Sequence, residues 1–170
     1  MKRLALSFLI LTLALSLFAC AGSGARLIAD DLSIRIDGFS ATPKTTMDDV
    51  RTALGEAYDY AEAISCVYEG MDKTFTYGDV TFYTYPDGET DCLMEVYCTG
   101  GNVATAKGIT FGATVAQIEA AYGKDYTRSG KLLTYELPVS GEDTEPASLY
   151  FVLENDCVAA IAMTAEHRAE

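Results

Sequence analysis

The 170-residue chain contains no tryptophan, one histidine and four prolines, and it is poor in basic residues. The lone His167 sits near the C-terminus. Ser/His/Asp and Cys/His catalysis both need an imidazole held against a nucleophile by a third group, which an isolated tail histidine rarely supplies. The five cysteines include no CxxC pair, so neither a zinc site nor a thioredoxin-like motif is indicated. No glycine-rich phosphate loop precedes a helix, and no cofactor is expected. Lys and Arg number 12 against 25 Asp and Glu, a formal charge of −13. That sign argues against nucleic acid and against electrostatic docking on anionic lipid, and it favours cationic partners. Carboxylates are the one catalytic type in good supply. A cell-envelope hydrolase using paired carboxylates is therefore the enzymatic alternative. The bland readings are strong, however. Asp48-Asp49 suits a first helical turn, and Asp87–Asp91 and Glu142–Glu145 read as solvated hairpin tips without EF-hand spacing.

The N-terminus is organised for export. Lys2 and Arg3 precede an almost continuous apolar run, Leu4 to Phe18. Fifteen residues in a helix reach only about 22 Å, short of the roughly 20 apolar residues of a stable membrane span. The run stops at Leu17-Phe18-Ala19-Cys20 and passes into a small flexible spacer, Ala21-Gly22-Ser23-Gly24-Ala25. Leu, a variable residue, a small residue and Cys together resemble the bacterial lipobox. The resemblance implies a signal peptide over residues 1–19 and a diacylglyceryl and N-acyl lipid on Cys20. It also implies a flexible tether over 20–31 and a location on the extracytoplasmic face of the cell membrane. Loss of Lys2 and Arg3 takes the mature charge to −15.

About 150 residues remain, one domain's worth, and the chain echoes itself. Thr46–Gly55 can be laid over Thr114–Gly123. Each starts with a Thr suited to an N-cap and ends in a glycine suited to a C-cap. Val50, Ala53 and Leu54, like Ile118, Ala121 and Tyr122, recur at the spacing of one buried helical face. Three strand-like stretches follow each helix: 73–77, 80–85 and 92–99, then 131–137, 148–153 and 157–164. The predicted fold class is α+β, two tandem helix-plus-antiparallel-β-meander units (32–105 and 106–165) with both helices on one face of a sheet. A strand over Leu32–Ile36 precedes the first helix, and residues 166–170 form a tail.

Two further resemblances follow. Gly108-Ile109-Thr110-Phe111-Gly112-Ala113-Thr114 with Tyr122-Gly123 is similar to a phrase of clostridial-type secreted lipoproteins. So are Ser65-Cys66, Gly70-Met71-Asp72-Lys73, Tyr77-Gly78 and Thr84-Tyr85-Pro86-Asp87-Gly88. That group brings no active site with it. The tandem plan also resembles β-lactamase-inhibitor-protein-like folds, including the SmpA/OmlA lipoproteins. This implies a protein-binding scaffold whose sheet has one open face.

Strand alternation assigns the faces. Cys92, Met94, Val96 and Cys98, with Cys157, Ala159, Ile161 and Met163, are expected beneath the helices. The candidate partner-binding face on the other side carries Tyr83, Tyr85, Glu95, Tyr97, Glu136, Tyr150 and Glu154, together with Leu93, Thr134 and Val152. Tyrosine offers large area and a polar tip, so an envelope protein or peptide of basic character, or a sugar polymer, is the expected partner. Cys92 and Cys98 lie about 20 Å apart along one strand and cannot pair with each other. Cys66 with Cys98 is the preferred disulfide and Cys66 with Cys92 the other, while four free buried thiols are equally compatible.

Overall fold

The computed structural model describes residues 26–138 and 146–165. The expected signal peptide, Cys20, the first part of the expected tether, the expected Glu142–Glu145 tip and the expected tail with His167 lie outside the described residues. A 3-10 turn (Ala29–Asp31) leads into β1 (Ile34–Ile36) and β2 (Phe39–Ala41), then α1 (Met47–Leu54). Four strands follow: β3 (Asp59–Ile64), β4 (Met71–Tyr77), β5 (Val80–Asp87) and β6 (Thr90–Cys98). Next come β7 (Val103–Thr105), α2 (Val115–Tyr122), β8 (Thr127–Ser129), β9 (Leu132–Glu136), β10 (Ala147–Glu154) and β11 (Cys157–Ala165). The strands make an antiparallel sheet β2-β1-β7 and an eight-stranded one, β3-β4-β5-β6-β11-β10-β9-β8.

This architecture corrects the α+β expectation of helix-plus-meander units. The described residues are mostly β, and the two α-helices among them have eight residues each. Two turns of helix cannot cover an eight-stranded sheet, and residues of β1, β2 and β7 complete the same core. Neither β3 nor β8 was expected, because both are exposed along their whole length and show no inside–outside alternation. β2 was missed too. Its hairpin with β1 turns on Asp37 (φ 49°) and Gly38 (φ 92°), the Asp-Gly pair that favours such a two-residue turn.

The helix ends follow from their sequences. Thr46 and Thr114 each accept from the backbone N–H three residues on, while the side chains of Asp49 and Gln117 accept from the backbone N–H of the capping Thr. Each box satisfies two N–H groups that have no intrahelical partner. Gly55 (φ 86°, ψ −168°) and Gly123 (φ 82°, ψ −165°) end the helices in a region that only glycine adopts readily. Tyr77 Oη donates to the Gly55 carbonyl at 2.8 Å, and Tyr135 Oη to that of Gly123 at 2.7 Å. Met47 and Val50, and Ile118 and Tyr122, are the buried helical residues; Ala53 is exposed. They pack on Phe82, Val96, Phe151 and Ile161 in a single core.

Bulges shift two strands by one residue. Tyr83 pairs with Glu95 but Thr84 with Leu93; likewise Val152 pairs with Ala160 but Leu153 with Val158. Met94 and Ala159 are the extra residues. Leu93 and Val158 therefore enter the core, whereas Cys92 and Cys157, expected there, are half-buried and Met94 is exposed. The displaced strand ends pair instead with the helix entries, through Thr46–Cys92 and Thr114–Cys157 bridges.

Packing begins inside the segment read as tether. Leu27 is buried, and Asp31, only 6% exposed, takes the Lys107 ammonium at 2.8 Å and the Ile28 N–H at 3.1 Å. Lys107 also lies over the Tyr122 ring, 4.8 Å from its centroid. A buried carboxylate held this way fixes the incoming chain against α2.

Candidate functional site

The sheet face opposite the helices is ordered by strand register. One row across it reads Asp59, Thr76, Thr81, Tyr97, Ala162, Tyr150, Thr134, Thr127. The next reads Ala61, Thr74, Tyr83, Glu95, Thr164, Ser148, Glu136. Neither row contains a basic residue. Every side chain in them keeps some exposure except Ala162, which sits between Tyr97 and Tyr150.

Five of the seven candidate face residues come together here: Tyr83, Glu95, Tyr97, Glu136 and Tyr150. Tyr97 and Tyr150 are tilted rings 6.5 Å apart. The Tyr150 hydroxyl donates to Glu95, and burial first, then that carboxylate, push the phenol well above its ordinary range. It stays protonated and holds the Glu95 side chain in place. Ser148 and Thr164 hydroxyls meet at 2.6 Å, and those of Thr76 and Thr81 at 3.4 Å. The surface is thus hydroxyl-rich, aromatic at its centre and acidic.

The other two residues are placed differently. Tyr85 is only 6% exposed because the turn over residues 65–70 folds onto it, with the Tyr68 ring 4.7 Å away. Its hydroxyl bonds to the Cys92 thiol, whose pKa burial raises. Glu154, at the end of β10, faces the Lys131 ammonium at 3.4 Å. Sequence reasoning also missed Asp72 beside Tyr85. Among the described residues its Oδ1 is buried without a hydrogen-bond partner.

The four described cysteines are free thiols. Cys98 is fully buried, and desolvation pushes its thiol up to about 12. Cys66 is exposed in the turn that rests on Tyr85, while Cys98 lies opposite Val80. Tyr85 and Val80 stand roughly 16 Å apart along β5, which separates the preferred disulfide pair.

Asp37 and Asp79 line a shallow depression of about 170 Å³, and both are exposed. Asp49 and Glu119 are held below the usual carboxylate range, mainly by hydrogen bonds from Thr46 and from Tyr126 respectively. A general acid needs the opposite shift. No helix among the described residues is long and apolar enough to cross a membrane, and no cluster of His, Cys, Asp and Glu among them is arranged to hold a metal ion. No protein-family model matches the chain, and no curated protein or solved structure matches it.

Proposed function

We propose that this protein is a lipid-anchored, non-enzymatic binding module on the extracytoplasmic face of the cell membrane. It docks a cationic envelope protein or peptide through the open face of its eight-stranded sheet. The observation that carries this reading is the pair of adjacent rows. They gather Tyr83, Tyr97 and Tyr150 with Glu95 and Glu136 and contain no basic residue; Arg26 reaches only the Glu136 end, where it pairs with Asp125. Tyrosines supply contact area at low entropic cost, and the fixed Glu95 carboxylate supplies a directed acceptor for a charged donor. The anchor rests on the lipobox-like Leu17–Cys20. Six residues separate Cys20 from the packed Leu27, a reach of at most about 25 Å, so a membrane-bound domain stays close to the bilayer.

Two measurements test the reading. Labelled palmitate is expected to enter the wild-type protein and not Cys20→Ala, which should also leave the membrane fraction; equal labelling of both sinks the anchor. Capture of an envelope partner by the purified protein should weaken about tenfold in the E95Q/E136Q variant. Unchanged capture rules out the acidic face.

A further inference from the structure

The two edges of the eight-stranded sheet are unlike. β8 is three residues long and carries Arg128, whose guanidinium pairs with Asp156 at 2.7 Å. Short, charged edges resist pairing with other chains. β3 has six residues, Asp-Tyr-Ala-Glu-Ala-Ile, with no lysine, proline or glycine. Its register places one side of its backbone outward. The Ser65 N–H bonds to the Gly70 carbonyl at 3.0 Å, so Ala63, Ala61 and Asp59 turn their backbone groups to β4. By the alternation of an antiparallel ladder, Tyr60, Glu62 and Ile64 turn their N–H and C=O away from the sheet. Among the described residues no strand pairs with that side.

Exposed apolar side chains border this edge: Tyr60 (50%), Ile64 (80%) and Val67 (69%). Acidic residues surround it, with Asp59 and Glu62 on the strand and Glu56, Glu69 and Asp72 nearby in sequence. Lys73, opposite Glu62, is committed to Asp91 at 2.8 and 2.9 Å. Glu62 accepts from the Tyr60 hydroxyl instead.

We propose that β3 is a docking edge that takes an extended basic segment of a partner protein as an added antiparallel strand. Backbone bonds to Tyr60, Glu62 and Ile64 hold the segment, as in strand-addition recognition generally. Its basic side chains meet Asp59 on the open face, and its apolar ones cover Tyr60 and Ile64 on the other. Position favours the same edge. Arg26, where the described chain begins, pairs with Asp125 beside β8. β3 lies across the whole sheet from it, about 34 Å at about 4.8 Å per strand spacing. A chain tethered at its N-terminus thus presents β3 away from the anchor. This step rests on the binding-module reading and names a site on that module separate from its open face.

The test uses the purified full chain in detergent and a labelled seven-residue peptide alternating lysine with valine. Its twin carries N-methyl groups on alternate amides, placed so that the edge facing β3 cannot donate. Binding is read by fluorescence anisotropy at low salt. We expect the plain peptide to bind and the N-methylated twin to bind at least tenfold more weakly to the same unaltered protein. Glu62→Pro, which removes an outward N–H while leaving the bonds to β4, should cost at least tenfold; D59N should cost about threefold; E154Q, at the end of β10 against Lys131, should change nothing. Equal binding of the two peptides, or no binding of either at millimolar concentration, overturns the edge. Loss with E95Q/E136Q but not with Glu62→Pro overturns the edge and leaves the open face standing. A dimer that forms without peptide and is abolished by Glu62→Pro assigns the edge to a second copy and overturns the basic segment.

Discussion

The meander β3–β6 and the meander β8–β11 use the same local devices and bury them to different depths. Each is entered from a Thr-capped helix that a glycine ends, each ties that glycine's carbonyl to a tyrosine hydroxyl, and each carries one bulge in its last strand. In the second, Tyr122 and Tyr135 are fully buried. The corresponding Leu54 and Tyr77 are only half-buried, and of the two exposed outer strands β3, with six residues, is twice as long as β8, with three. The second meander concentrates the packing, while the first leaves surface at its outer end. Low-stability, exposed elements are where binding segments are generally drawn from.

The largest effect should come from the last helical position. Tyr122 contacts the Tyr135 and Phe151 rings at centroid distances of 5.5 and 6.2 Å. Tyr122→Ala should cost about 3–5 kcal/mol, the range for emptying an aromatic core site. Leu54→Ala, at the matching position of α1, should cost about 1 kcal/mol, since a half-buried side chain gives up less area. Urea unfolding of both variants measures this. Equal losses would show that the two halves are packed alike, and the comparison would fail.

Next in size is the tyrosine tie. Tyr135→Phe leaves the Gly123 carbonyl without its donor in a half-buried place and should cost about 1–2 kcal/mol. Gly55 is exposed and water replaces the Tyr77 hydroxyl there, so Tyr77→Phe should cost less than about 1 kcal/mol. Hydrogen exchange at the last turn of each helix separates the two, because a weakened tie raises exchange locally before global stability falls.

These devices differ in how far the sequence reveals them. The caps are legible because they are local: Thr46 with Asp49, Thr114 with Gln117 and the closing glycines act within ten residues. Much of the core is legible from alternation, as with Phe82, Val96, Phe151 and Ile161. The bulges at Met94 and Ala159 are not. A bulge is a relation between two strands, and strict alternation runs through it to put Cys92 and Met94 inside and Leu93 outside. β3 is harder still. Asp-Tyr-Ala-Glu-Ala-Ile buries nothing and contains good helix formers, so its strand conformation depends on β4 alone. Of the candidate face, the row containing Tyr97 and Tyr150 survives because both bulges, at Met94 and Ala159, lie to one side of it. Tyr85 does not, because the turn over 65–70 covers it and no periodicity reports such a cover.

The smallest expected effect separates the two caps by chemistry. Thr46 is boxed by Asp49 and Thr114 by Gln117, so only the first box can titrate. Hydrogen bonds from the Thr46 backbone and side chain lower the Asp49 pKa in the folded protein. A carboxylate lowered on folding contributes stability that is present above its unfolded value, about 3.9, and is lost as pH falls through the folded value. The side chain is exposed, so the contribution is screened and should stay under about 1 kcal/mol. Asp49→Gln gives the first cap the chemistry of the second. Urea midpoints of the wild type and this variant should therefore keep a constant difference from pH 7 to about 5, and the difference should shrink below about pH 4. Gln117→Glu should introduce a similar dependence into the second cap. A wild-type-to-variant difference that is flat down to pH 3 would mean that Asp49 acts only through its shape, and the two helix entries would then be alike in every respect that stability measures.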